Sequence, residues 1–110
     1  MADDPMQLLQ GTLDVLVLKS LTWGPNHGYG VARWIRETTD DALAIEDGAL
    51  YTSLHRMERK GWIASEWGVT EAGRRVKQYA ITATGRRALN AQASQWQRYV
   101  TAGAKVLQPA

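Results

Sequence analysis

The sequence predicts a mainly α-helical fold that includes one small β-hairpin. Apolar residues recur at helical spacing in three segments before residue 61, two alternating segments follow, and a long segment with a heptad-like rhythm ends the chain. The chain has 110 residues, of which 45% are hydrophobic. We therefore expect one ordered domain with a core of its own.

The first helix is predicted over residues 6–21, where leucines and valines form a broad apolar stripe. The acidic residues 1–5 lack the basic stretch of a secretion signal and are expected to form a flexible tail. Gly24 and Pro25 end this helix, because both residue types interrupt a helical pattern.

The second helix is predicted over residues 27–38, with Asn26 as its N-cap. Gly28 and Gly30 near its start lower helix propensity, so their presence is interpreted as close packing against another helix. Residues 42–45, which follow this helix, are interpreted as a short extended piece.

The third helix is predicted over residues 47–60 and has two unlike faces. Its apolar stripe consists of Leu50, Leu54 and Met57. The other face is small and polar near the start and basic near the end, which is typical of a helix that enters a nucleic-acid groove. Asp47 is predicted as its N-cap, and Gly61 as the residue that ends it.

Two strands are predicted over residues 62–69 and 75–82, where side chains alternate in character. The five residues between them contain Gly73, which supplies the permissive backbone that a hairpin loop needs.

A last helix is predicted to begin after Thr82 or Thr84 and to run to about Leu107. Its apolar residues follow the 4-3-4-3-4 spacing of a coiled coil. They are Leu89, Ala93, Trp96, Val100, Gly103 and Leu107. Because so long a helix has few partners within a small domain, we predict that it pairs with a second copy of the chain. The alternative is a helix that packs back on its own core.

This order of elements is that of a winged helix-turn-helix with a C-terminal dimerisation helix, in which the third helix enters the major groove and the hairpin contacts the backbone. The DNA-binding domain would span residues 6–82 and the dimerisation helix residues 83–110. The residues predicted to lie near base edges are Ala49, Tyr51, Thr52, Ser53 and Arg56. Packing in the core is the alternative role of Tyr51.

The predicted hairpin carries three basic residues, Arg74, Arg75 and Lys77, which would meet phosphates or enter a minor groove. The alternative is an edge strand whose charge discourages aggregation, and Glu71 at the tip is in its favour. The net charge of +2 is small, so the argument for DNA depends on where the charges lie.

Composition argues against several other classes of function. There are no cysteines, which excludes disulfides and thiolate chemistry. His27 and His55 belong to different helices and to no paired motif, so we expect no catalysis, no metal site and no cofactor. No apolar run is long enough to span a bilayer, and a cytoplasmic location without membrane association is expected.

Four segments resemble the PadR-like family of bacterial transcriptional regulators. They comprise residues 9–18, 24–31, 48–63 and 73–85. The resemblance implies a homodimer that binds a pseudo-palindromic operator in double-stranded DNA, usually as a repressor. It also implies the short subfamily, in which one C-terminal helix pairs with the N-terminal helix of the other subunit. The implied dimer interface consists of Leu9, Leu13, Leu89, Ala93, Trp96, Val100 and Leu107.

Two further expectations follow from the resemblance. Thr52 stands where the family often has proline, so it restores a backbone N–H and adds a hydroxyl. Some members respond to phenolic acids or multidrug-type aromatics, and Trp96 and Tyr99 would line such an effector pocket here, with the dimer core as the alternative place for Trp96. The alternative function is a ligand-sensing or protein-interaction module that has the fold but does not bind DNA.

Overall fold

The computed structural model describes residues 10–109 and confirms the fold class. Within this range four helices accompany a three-stranded antiparallel sheet with the strand order β1-β3-β2. The helices are α1 (Gln10–Leu21), α2 (Gly28–Thr38), α3 (Asp47–Arg59) and α4 (Ala83–Leu107). The strands are β1 (Asn26–His27), β2 (Ile63–Val69) and β3 (Arg75–Ile81). The predicted tail and Leu9 lie outside the described residues.

One core lies between α1, α2, α3 and the sheet. The predicted stripe of α3 is buried in it, since Leu50, Leu54 and Met57 are at most 1% exposed. Val17 and Leu18 of α1 are fully buried beside them. Full burial of such a side chain stabilises the fold by about 1.5 to 3 kcal/mol, so this packing holds α3 against α1.

The sequence did not predict β1, which pairs Asn26 with Tyr79 and His27 with Gln78 of β3. The prediction that Asn26 caps α2 is wrong by one residue. His27 is the N-cap, and its Nδ1 accepts a hydrogen bond from the Gly30 N–H at 3.1 Å. The predicted close packing against another helix is confirmed at Gly28, where a Cβ would lie 3.0 Å from the Tyr51 hydroxyl of α3. It is wrong at Gly30, where a Cβ would collide with the side-chain oxygen of Asn26 in β1.

The start of α3 also differs by one residue from the prediction. Glu46 occupies the N-cap position without a side-chain hydrogen bond, and Asp47 is the first helical residue, where its carboxylate suits the helix dipole. Gly61 follows the C-cap with φ of +76°, as predicted. The expected extended piece at residues 42–45 is not a strand.

The hairpin agrees with the prediction to within one residue at each end. It runs in register from the pair Ile63 and Ile81 to the pair Val69 and Arg75. Its loop turns at Gly73, whose φ is +83°. This hairpin is the wing of the fold.

The start of α4 is fixed against the beginning of β2. Thr82 is the N-cap and accepts a hydrogen bond from the Gly85 N–H at 3.0 Å, which confirms the first of the two predicted starts. Thr82 also donates to the Gly61 carbonyl at 2.6 Å. A Cβ at Gly85 would collide with the Trp62 carbonyl oxygen, so only glycine fits where the first turn of α4 passes the residue before β2.

Beyond its first three turns α4 leaves the core. Leu89 is 8% exposed, whereas Tyr99 and Leu107 are 77% and 83% exposed. Leu13 and Leu89 lie in the core of the chain itself because α1 packs on α4, which corrects their expected place in a dimer interface. Ala93 also packs against this core. No helix among the described residues is long and apolar enough to cross a membrane.

Candidate nucleic-acid interface

An open groove of about 480 Å³ lies between α3 and the wing, and the start of α2 also lines it. We call it the wing groove. Its wall carries aromatic and basic side chains, including Tyr29, Tyr51, Trp67, Arg74, Arg75 and Lys77. Four of the residues predicted to touch DNA thus share one surface. Tyr29 and Trp67 were not predicted from the sequence.

The first half of α3 presents an exposed face. Ala49, Tyr51, Thr52 and His55 are all exposed, and Tyr51 and His55 also line the wing groove. The position of Tyr51 is compatible with both of the roles considered for it. Its side chain packs over Gly28, where a Cβ would lie 3.0 Å from the phenolic oxygen, yet it is still 42% exposed.

Two of the residues predicted to read bases are turned away from this face. Ser53 is fully buried and donates a hydrogen bond of 2.6 Å to Oδ1 of Asp14 on α1. Arg56 donates to both carboxylate oxygens of Asp14, from Nε at 3.2 Å and from Nη2 at 2.5 Å. The prediction for Ser53 is therefore wrong, because its hydroxyl lies in the core. The Arg56 side chain is only 15% exposed and its guanidinium is committed to Asp14.

The sequence did contain a signal for this arrangement. Asp14 is a carboxylate inside an apolar helix, and it is only 4% exposed in the structure. A buried carboxylate needs a cation and hydrogen-bond donors. Arg56 provides both. A helical pattern alone does not reveal that Asp14 and Arg56, which are 42 positions apart, form a pair.

The cations of the wing are arranged around an indole ring. Trp67 is 57% exposed, with the Arg75 guanidinium carbon 4.5 Å and the Lys77 Nζ 5.9 Å from the ring centroid. Trp67 and Lys77 are direct partners across the strand pair. Cation–π interactions of this kind contribute about 0.5 to 1 kcal/mol at exposed sites. They hold two positive charges on the wing without neutralising either.

The floor of the wing groove is Tyr79, which is 2% exposed. Burial raises the pKa of Tyr79 above its ordinary value, and the nearby Glu58 and Tyr51 raise it further. The hydroxyl therefore stays neutral at physiological pH and adds no negative charge beneath the cations.

The two histidines of the groove lie on different elements. His27 accepts a hydrogen bond at Nδ1 as the N-cap of α2, and His55 lines the groove from α3. Over residues 10–109 there is no cluster of three or more histidines or carboxylates that could hold a metal ion. What the surface does offer is positive charge, hydroxyl groups and exposed aromatic rings, the groups that bind nucleic acid.

A second cavity, of about 600 Å³, lies between α1 and α4. Trp96 and Tyr99, the two residues named for an effector pocket, both line it. Val15 of α1 contributes to the opposite wall. The side-chain oxygen of Gln92, also in this lining, is buried and has no hydrogen-bond partner among the described residues.

Comparisons with solved structures agree with this geometry. A PadR family transcriptional regulator from Eggerthella lenta is 32% identical, with a TM-score of 0.74 over 92% of this chain and 86% of that one. A transcriptional regulator from Clostridium thermocellum is 30% identical, with a TM-score of 0.75 over 89% and 91% of the two chains. A PadR-like transcriptional regulator from Bacillus cereus shares the fold at 23% identity, with a TM-score of 0.78 over 96% and 100%.

The sequence also matches a family model directly. The model describes the transcriptional regulator PadR-like family, and it matches residues 17–91. This range includes α3, the wing and the first third of α4. The chain therefore belongs to the PadR-like family of transcriptional regulators.

Proposed function

We propose that the protein is a dimeric repressor that binds a pseudo-palindromic operator in double-stranded DNA. The observation that carries the proposal is the wing groove, in which an exposed helix face and the cations of the wing share one surface. Family membership supports regulation through DNA binding. A regulator of this kind would act on chromosomal DNA in the cytoplasm.

In this proposal α3 is the recognition helix. Ala49, Tyr51 and Thr52 lie on its exposed face and would approach base edges in the major groove. Ala49 allows close approach, whereas the two hydroxyls would bond to bases or phosphates. Thr52 also keeps a backbone N–H that a proline at this position would lack.

The wing would supply interactions that depend little on sequence. Arg74, Arg75 and Lys77 carry positive charges beside the recognition helix, and phosphates of the neighbouring backbone are their expected partners. These ion pairs would fix the register of the recognition helix on the duplex.

The exposed apolar residues of α4 support the dimer. Trp96, Val100 and Leu107 are 39%, 45% and 83% exposed, and all three belong to the predicted heptad seam. A second copy would cover this face, and two recognition helices related by a two-fold axis would lie about 34 Å apart, one turn of DNA.

Relief by a small aromatic effector is part of the same proposal. The cavity between α1 and α4 offers the aromatic side chains of Trp96 and Tyr99 for stacking. Gln92 offers its unpartnered oxygen to a hydrogen-bond donor on the ligand. A place in the dimer core is the alternative role of Trp96.

The test compares two pairs of adjacent arginines. Operator DNA is first obtained by sequencing the genomic fragments that the purified protein retains. Replacing Arg74 and Arg75 by alanine should weaken binding to every duplex and reduce the dependence of log K on log salt, by about 0.9 for each phosphate that is no longer neutralised. The measurement is a fluorescence-anisotropy titration at several salt concentrations.

The matched control replaces Arg86 and Arg87 by alanine, which removes the same charge outside the wing groove. An equal loss of affinity in both variants would mean that bulk charge, not the wing, drives binding. Retention of no genomic fragment by an intact dimer would instead favour the alternative, a sensing or interaction module without DNA binding.

A further inference from the structure

We propose that Asp14 is a positioning residue for DNA reading, which holds the recognition helix at one rotation through Ser53 and Arg56. We call these three residues the Asp14 cluster. The inference rests on the proposed function, since it names what sets the orientation of α3. Asp14 itself is 4% exposed and lies on α1, so it would act without touching DNA.

The geometry of the Asp14 cluster uses both carboxylate oxygens. Oδ1 accepts hydrogen bonds from the Ser53 hydroxyl at 2.6 Å and from Arg56 Nη2 at 2.5 Å, and Oδ2 accepts from Arg56 Nε at 3.2 Å. This bidentate interaction fixes the orientation of the Arg56 guanidinium plane as well as its distance from the carboxylate. Neither a lysine in place of Arg56 nor an amide in place of Asp14 would reproduce this geometry.

The position of these residues on α3 makes the cluster sensitive to rotation. Ser53 and Arg56 are three positions apart and lie on one side of the helix. Thr52 and His55 directly precede them in sequence and are exposed. A rotation that broke the hydrogen bonds to Asp14 would also turn the reading face, because both faces belong to one rigid helix.

Apolar packing alone would fix this rotation less well. The packing of Leu50, Leu54 and Met57 is non-directional, and similar burial is reached at nearby rotations. The hydrogen bonds of Asp14 have narrow angular limits. Because Ser53 is fully buried, water is not at hand to replace its bond to the carboxylate.

The decisive variant is Asp14→Asn, which keeps the size of the side chain but removes one acceptor and the charge. We expect its affinity for operator DNA to fall at least about tenfold, the scale of one mismatched base pair, with an unchanged affinity for unrelated duplexes. The matched control is Glu58→Gln. Glu58 also lies on α3 and accepts a serine hydrogen bond, from Ser65 of β2, so its replacement should leave the ratio of the two affinities unchanged.

A double variant without an unpaired buried charge separates the loss of positioning from simple unfolding. Asp14→Asn leaves Arg56 without its counter-ion, whereas the double variant Asp14→Asn with Arg56→Gln leaves no buried charge in the cluster. The double variant should fold and should also lose discrimination between operator and unrelated DNA. Normal discrimination by this folded double variant would overturn the proposal.

Hydrogen exchange gives a second readout that needs no DNA. In Asp14→Asn, amides of α3 should exchange about tenfold faster, while those of β2 and β3 stay unchanged. Equal acceleration in all elements would show a role in stability alone and would overturn the proposal. If the wild-type chain binds no DNA, the proposed function fails, and the exchange pattern still decides whether Asp14 positions α3.

Asp14→Asn also releases the Arg56 guanidinium, which could then reach phosphates. An increase in operator affinity would show that Asp14 masks a DNA-binding arginine, and it would overturn the positioning role.

Discussion

Tyr79 combines nearly complete burial with an ionisable hydroxyl, and this makes a prediction about alkaline pH. Its pKa is raised above 10.0 by burial first, then by Glu58 and Tyr51. Above pH 10 the unfolded chain loses this proton while the folded chain still holds it. The stabilising contribution is therefore fully present below the unfolded pKa and is lost as pH rises through the folded pKa.

We expect Tyr79→Phe to make the alkaline loss of stability shallower. The measurement is the free energy of unfolding in urea at several pH values from about 8 to about 11, a range that spans the ordinary tyrosine pKa. Tyr99→Phe is the control, because Tyr99 is 77% exposed. A pH profile of Tyr79→Phe that matches the wild type would contradict the prediction.

At the scale of single residues, exposed positions could be predicted from the sequence, whereas contacts between distant residues could not. The exposed positions Ala49 and Thr52 were identified from the pattern of α3 alone. Ser53 and Arg56 were misjudged because the pattern places a residue on a helix face but does not say what packs there. Only the fold brings Asp14, 42 positions before Arg56, within hydrogen-bond distance of it.

Among the elements, the long ones were predicted closely and the short ones were not. The hairpin strands and α4 have strong periodicity over seven or more residues, so their bounds agree to within about one residue. β1 has only two residues and no period of its own, since its pairing with β3 defines it. The N-cap of α2 was predicted at Asn26 rather than His27 because the sequence pattern did not reveal β1.

The chain is tightly packed where the start of α4 meets the residue before β2. A Cβ at Gly85 would collide with the backbone oxygen of Trp62, which cannot move aside as a side chain can. We expect Gly85→Ala to lower the free energy of unfolding by about 3 kcal/mol, as overpacking does in a tight site.

The control for this junction is Gly48→Ala in α3. No atom lies within 4 Å of a Cβ built at Gly48, so alanine should raise the stability by up to about 1 kcal/mol through helix propensity. Urea denaturation compares the two variants. Equal stability of Gly85→Ala and the wild type would mean that α4 is free to shift at its start.

The whole molecule extends over 56 × 32 × 21 Å, because α4 projects from the core. Its apolar seam is the basis for the predicted dimer. Trp96→Glu would place a charge in that seam, and we expect monomers at concentrations where the wild type is dimeric. Light scattering coupled to size-exclusion chromatography measures the change.

Ala91→Glu provides the control, because Ala91 lies on the opposite face of α4 and its replacement adds the same charge. A Trp96→Glu variant that stays dimeric would remove the seam from the interface. The seam itself stays a prediction from the heptad spacing, and the fold corrects it at Leu89, whose side chain lies in the core.

The close approach of Gly85 to Trp62 has a mechanical consequence. α4 has 25 residues and is about 38 Å long, and it is held to the winged domain at one end only. It is held along its first three turns, by Gly85 against Trp62 and by Leu89 and Ala93 against the core, and the remaining turns form a projecting arm. A tilt of about 5° of the whole helix on the core would move its far tip by about 3 Å. In the proposed dimer, the angle at which α4 leaves the core would set the distance between the two recognition helices, and hence the half-site spacings that the dimer would span without distortion.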